Sequence, residues 1–219
     1  MSLLELRDVT FQVEEKIILQ GISLEIERGD FLGLVGPSGS GKSSLLKLCN
    51  DLISPSQGDL FFKGKNYRDH DPIQLRRQVL YLAQTPYLFG ETVRENIEFP
   101  YSIRNKKLDL DRVEEVFSLF KMPLDYLDQE VGDLSGGEKQ RIALIRGLLI
   151  LPEVLLLDEV TSALDPENKD LVRQILCQLN REGTTLVAIT HDQEGARRYA
   201  KRILTLDEGK IVSLEEVQA

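Results

Sequence analysis

The run Phe31-Leu32-Gly33-Leu34-Val35 followed by Gly36-Pro37-Ser38-Gly39-Ser40-Gly41-Lys42-Ser43 constrains this chain more than any other stretch. It fits the pattern GxxxxGK[ST] in the setting that pattern requires. An apolar strand comes before it, and a segment with helical spacing of Leu45, Leu46 and Leu48 comes after. Glycines let successive backbone N–H groups turn inward around phosphate oxygens. The start of the helix adds positive potential at the same point. Gly36 through Ser44 therefore read as a phosphate cradle, with Lys42 reaching the β- and γ-phosphates and Ser43 offering a hydroxyl to Mg²⁺. A Gly-Ser surface loop is the bland alternative. The flanking strand, the helix and the Lys42-Ser43 pair together weigh against it.

Two further segments fit such a cradle. Val154-Leu155-Leu156-Leu157 is an apolar strand ending in Asp158 and Glu159. Ligands of α/β sheets sit beyond the carboxyl ends of the strands. Asp158 is expected to hold Mg²⁺ through water, and Glu159 to polarise an attacking water. Leu134-Ser135-Gly136-Gly137-Glu138-Lys139-Gln140-Arg141 opens a helix running to about Leu149, with Ser135 as N-cap. Its glycines allow close backbone approach, so Ser135, Gly136 and Gly137 read as a second anion-binding helix start. Either the chain binds two phosphorylated ligands, or two copies meet head to tail and share each one.

The remaining pattern is alternating. Strands are expected from Leu4 to Val13, Ile18 to Ile26 and Gly58 to Phe62, with a hairpin turn at Lys63-Gly64-Lys65. After about Gln84 the texture changes, and Val113, Val116, Phe117 and Phe120 share one face of a helix over Asp109–Phe120. Strand–helix rhythm returns with Val154–Leu157, a helix opened by Asp165-Pro166, a strand over Thr185–Ile189, a helix over Gln193–Tyr199, and strands over Ile203–Leu206 and Ile211–Leu214. The fold class expected is α/β: a P-loop NTPase core with a mainly parallel sheet, an N-terminal antiparallel β subdomain and a helical insertion. The whole chain, 1–219, reads as one domain, with core and β subdomain at about 1–84 and 152–219 and the helical subdomain at about 85–151.

Composition removes other classes. The net charge of −9 provides no long-range pull toward nucleic acid. The two cysteines, Cys49 and Cys177, and the two histidines, His70 and His191, are too scattered for a disulfide framework or a zinc site. No apolar run approaches the roughly 20 residues a membrane helix needs. The reading is a soluble, cytoplasmic chain that reaches a membrane only through a partner.

With these motifs together, the chain resembles the ABC ATPases over essentially its whole length. The order of cradle, LSGGEKQR and VLLLDE is theirs. That resemblance implies ATP and Mg²⁺ as cofactors and gives roles to three further positions. Gln84 matches the loop glutamine that contacts Mg²⁺ and the attacking water. Ser162-Ala163-Leu164-Asp165 matches the loop that couples two subunits. His191 matches the switch histidine that contacts the γ-phosphate. It further implies an ATP-dependent head-to-tail homodimer, in which Ser135, Gly136 and Gly137 of one copy cap the γ-phosphate held by Lys42 of the other. One departure stands out. Val13 occupies a position where the family often has an aromatic residue for adenine, and Phe11 lies two residues earlier on the same strand face.

Within the family, Thr85-Pro86-Tyr87-Leu88-Phe89-Gly90-Glu91-Thr92-Val93-Arg94-Glu95-Asn96-Ile97 is similar to the region of exporters that receives a helix from a multi-span transmembrane permease subunit. Tyr87, Leu88 and Phe89 are either that docking cluster or part of a helical core. The longer pattern resembles the ATP-binding subunits of bacterial iron-export systems. The expected function is therefore the ATP-hydrolysing subunit of an ABC exporter, peripheral on the inner face of the cell membrane. The alternative is a soluble ABC ATPase of an assembly machine, such as one for iron–sulfur clusters.

Overall fold

Every residue of Phe31–Val35, Val154–Asp158 and Thr185–Ile189 is buried. Continuous apolar strands of this kind belong at the centre of a sheet covered on both faces. The computed structural model, which describes residues 2–190 and 192–217, places them there. In chain order the elements are β1 (Ser2–Val13), β2 (Lys16–Glu27), β3 (Phe31–Val35), α1 (Lys42–Cys49), β4 (Gln57–Phe62), β5 (Lys65–Asn66), α2 (Pro72–Gln78) and β6 (Val79–Leu82). Then follow α3 (Val93–Ser102), α4 (Leu110–Leu119), α5 (Gly136–Leu148), β7 (Val154–Asp158), α6 (Pro166–Arg181), β8 (Thr185–Ile189), α7 (Gln193–Ala196), β9 (Arg202–Asp207) and β10 (Lys210–Glu216).

The chain divides into two compact units. The first comprises Met1–Tyr81, Glu153–Glu159 and Cys177–Ala219. It holds a six-stranded sheet in the order β10-β9-β3-β8-β7-β6 and a four-stranded sheet in the order β2-β1-β4-β5. In the larger sheet, β3 runs parallel to β8 and β9, and β7 runs parallel to β8. Strand β10 returns antiparallel, as a hairpin on β9. The smaller sheet is antiparallel, with β1 between β2 and β4. Its apolar side chains, among them Leu4, Leu6, Ile22, Ile26 and Phe62, join one cluster with Leu32, Leu34, Leu45, Leu156 and Leu204 of the nucleotide-core elements. The fold class is thus the expected α/β one, with a mainly parallel sheet and an antiparallel N-terminal sheet.

The second unit comprises Leu82–Pro152 and Val160–Leu176. Here α3 and α4 both pack on α5. Val93 and Ile97 from α3, Val113, Val116 and Phe117 from α4, and Ile142, Ile145 and Leu148 from α5 are all buried. The Arg112 guanidinium donates to Leu148 O at 2.9 Å, giving a carbonyl at the end of α5 the donor it lacks within its helix.

Two local differences from the sequence reading have physical causes. The helix expected to reach Tyr199 ends at Ala196. Its start is capped by Asp192, which accepts from Gly195 N at 2.8 Å, but a glycine in so short a helix gives propagation little support. Helix α2 and strand β6 were not anticipated. The start signal for α2 is the one recognised at Asp165-Pro166: Asp71 Oδ1 accepts from Ile73 N and Gln74 N, with Pro72 in the first turn.

Candidate functional site: a phosphate cradle with paired carboxylates

Strand β3 delivers the chain to Gly36, where φ is +142° and a side chain is impossible. A Cβ there would lie 1.9 Å from Leu206 O. Gly41, with φ +102°, immediately precedes α1, and a Cβ would meet Leu19 Cδ2 at 2.7 Å. The loop from Gly36 to Gly41 therefore turns on glycines at φ values that L residues rarely adopt, with Gly36 pressed against β9 and Gly41 against β2. Ser38 and Gly39 lie at its outer bend. Ser40 is 3% exposed, and its Oγ is buried among the described atoms with no hydrogen-bond partner. A buried orphan hydroxyl inside a loop of this shape is a group built for a ligand oxygen.

Lys42 begins α1 and is 6% exposed. Its Nζ donates to Gly36 O at 2.9 Å and to Pro37 O at 2.7 Å, so the ammonium arches over the loop it follows. Burial lowers its pKa, and the nearby Glu159 and Asp158 carboxylates oppose that shift. Ser43 and Ser44 follow in the first turn of α1. Ser43 Oγ donates to Asp158 Oδ1 at 3.1 Å. Asp158, the last residue of β7, is 4% exposed. Glu159, the next residue, has φ +49°, a left-handed conformation rare for glutamate. The chain turns sharply there, and non-glycine residues held in this region cluster at functional sites.

A hydroxyl and a carboxylate at the mouth of a phosphate cradle are hard oxygen donors, the kind Mg²⁺ takes when substrate phosphates supply further ligands. Among the described residues no group of three or more His, Cys, Asp or Glu side chains forms a self-sufficient metal site. The donor set present thus fits an ion shared with phosphates.

One neighbour escaped the sequence reading. Tyr81, on β6, donates its hydroxyl to Asp158 Oδ2 at 2.8 Å. Burial and this hydrogen bond push the phenol well above its usual range, so it remains a donor. No local sequence signal marks it.

The other expected positions lie in the second unit or outside the described residues. Gln84 is exposed, in the segment after β6. Ser135 caps α5: its Oγ accepts from Glu138 N at 3.3 Å, and Glu138 Oε2 accepts from Ser135 N at 2.8 Å, a complete capping box. Ser135 Oγ also donates to Glu138 Oε2 at 2.6 Å, and Tyr126 OH donates to Glu138 Oε1 at 2.6 Å. These bonds, those from the Ser135 side chain foremost, hold the Glu138 pKa down to about 2. A Cβ added at Gly136 would meet no atom within 4 Å, and one at Gly137 only Leu164 at 3.7 Å. His191 lies outside the described residues. Val13 is half exposed at the end of β1, whereas Phe11 packs against the apolar cluster of the first unit.

The segment from Thr85 to Ile97 divides in two. Tyr87 is 75% exposed. Phe89 instead packs edge-on against Phe99, with ring centroids 4.8 Å apart, and beneath the Arg146 guanidinium. Arg146, on α5, donates to Tyr87 O and to Asn96 Oδ1, both at 2.9 Å. Asn96 is fully buried and brackets Phe89, accepting from its N and donating to its O.

Comparison with known proteins agrees with this chemistry. The family model described as ABC transporter matches residues 19–162. The "Probable iron export ATP-binding protein FetA" of Escherichia coli (strain K12) is 43% identical over 205 residues, 93% of this chain and 91% of that protein. The "Spermidine/putrescine import ATP-binding protein PotA" of Mesoplasma florum is 38% identical over 96% of this chain, which spans 60% of that protein. Among solved structures, the ATP-binding cassette MJ0796, a dimer in a post-hydrolysis state bound to ADP and Pi, superposes with a TM-score of 0.88 at 30% identity, covering 99% of both chains. No helix among the described residues is long and apolar enough to cross a membrane. The chain belongs to the ABC transporter family, as one of its ATP-binding, ATP-hydrolysing subunits.

Proposed function

We propose that this subunit drives export through a multi-span membrane permease, with a metal such as iron as cargo, from the inner face of the cell membrane. The observation that carries the docking half of this reading is the Arg146 clasp. It fixes the backbone at Tyr87 while that residue stands 75% exposed, as suits a surface presented to another chain. Export of iron rests on the resemblance to FetA over nearly the full length of both chains. The equally family-wide similarity to an import subunit means direction is not read from the ATPase fold itself.

In this reading the loop from Gly36 to Gly41 and the N–H groups at the start of α1 bind the phosphates of ATP, and Lys42 neutralises the β- and γ-oxygens. Ser43 and Asp158 would hold Mg²⁺, with Gln84 added by the family resemblance, and the ion would spread the negative charge of the phosphates. Glu159 accepts a proton from the attacking water, and Gln84 and His191 orient that water and the γ-phosphate. Ser135, Gly136 and Gly137 of a second copy close over the γ-phosphate. ATP thus draws two subunits together head to tail, and hydrolysis releases them. A dimeric relative holding ADP and Pi supports this cycle.

Affinity purification of the tagged chain from detergent-solubilised cells, followed by mass spectrometry, tests the proposal. A stoichiometric multi-span membrane protein is expected. Recovery of soluble partners alone would overturn the transporter reading in favour of an assembly ATPase.

A further inference from the structure

We infer that Tyr81 is a positioning residue for the divalent cation, setting the orientation of the Asp158 carboxylate through its hydroxyl. The inference rests on the reading of Ser43 and Asp158 as cation-holding groups. Asp158 is 4% exposed, so water contributes little to fixing its side chain. The terminal torsion of an aspartate is soft and broad. A single hydrogen bond from Ser43 to Oδ1 leaves rotation about that torsion open. The second, from Tyr81 to Oδ2, closes it.

The two donors are themselves tied to one another. Helix α1 carries Ser43 at its first turn and Asn50 at its C-cap. The buried Asn50 Nδ2 donates to Val79 O at the start of β6, two residues before Tyr81. Hydrogen bonds thus run in a closed circuit: from α1 to β7 through Ser43 and Asp158, from β6 to β7 through Tyr81, and from α1 to β6 through Asn50. Each member of the circuit limits the freedom of the next. Partners that orient a metal-holding carboxylate are worth about 10- to 100-fold in metal affinity in other sites. No phosphate-binding or proton-transfer role is assigned to Tyr81. Its contribution is made entirely through Asp158.

Tyr81→Phe keeps the ring and removes only the donor. The experiment titrates Mg²⁺ into the purified full chain with a fluorescent ATP analogue and reads the half-saturating metal concentration. Mn²⁺ binding followed by electron paramagnetic resonance gives a second, optical-label-independent value. The half-saturating concentration is expected to rise about tenfold in Tyr81→Phe, while binding of the analogue in EDTA stays at the parental level. Asp158→Asn is the reference. If Asp158→Asn raises the metal requirement and Tyr81→Phe does not, the positioning role is overturned and the cation reading stands. If neither moves it, both are overturned. If Tyr81→Phe weakens metal-free binding as much as metal-dependent binding, Tyr81 merely supports the fold, and the inference is again overturned.

Discussion

Glu138→Gln separates the charge of the α5 capping box from its hydrogen-bonding shape. In the parent, the Glu138 carboxylate accepts from Ser135 N, Ser135 Oγ and Tyr126 OH, and its pKa falls from 4.5 to about 2. A folded-state value below the unfolded one means the carboxylate stabilises the fold fully above 4.5. That contribution is lost as pH falls through the interval down to about 2. Linkage at about 1.36 kcal/mol per pH unit sets a ceiling of about 3 kcal/mol. Glu138 is partly solvated, and screening at such a site reduces the effect to about 1 kcal/mol, the size of a helix cap. Glutamine retains an acceptor for the Ser135 N–H, so the variant reports the charge. Denaturant unfolding of both proteins from pH 7 to pH 3 is the assay. The parent should be more stable by about 1 kcal/mol at pH 7, with the gap constant to about pH 5.5 and more than half gone by about pH 3. A gap that stays constant across this range, or widens in acid, would refute the assignment of the carboxylate as the charged member of the cap.

Lys42→Ala should abolish ATP binding or turnover, and hydrolysis at the parental rate would count against the cradle reading. Glu159→Gln should bind ATP but stall and accumulate as a dimer. Light scattering that finds only monomer with Mg-ATP opposes the head-to-tail model in the absence of a partner. Arg146→Ala removes the donor to Tyr87 O and Asn96 Oδ1 in a half-buried setting and should cost about 2–3 kcal/mol in denaturant unfolding, since bonds from a charged donor are the stronger kind. Tyr87→Ala should leave stability within about 0.5 kcal/mol of the parent, as exposed substitutions do, yet weaken recovery of the membrane partner.

The cradle, the strand ending in Asp158 and the capped start of α5 were legible because each is a contiguous pattern. Glycine, hydroxyl and charge stand at spacings where one local conformation serves them all. The partners that set the geometry were not legible, because they come from distant parts of the chain. Tyr81 is 77 residues from Asp158, and Arg146 is 50 residues from Asn96. The segment from Thr85 to Ile97 shows the cost of reading adjacency as function. Tyr87, Leu88 and Phe89 stand together in the sequence and read as one apolar cluster. In the fold, Phe89 is spent on Phe99 and Arg146, and Tyr87 alone presents most of its side chain. Arg146 likewise carries no local sequence signal. Its hydrogen bonds to Asn96 Oδ1 and Tyr87 O tie α5, whose N-cap is Ser135, to the Tyr87 backbone. In the proposed reading, the residues that would cap ATP at the start of α5 and the tyrosine that would meet a partner beside its end are joined by this single 13-residue helix.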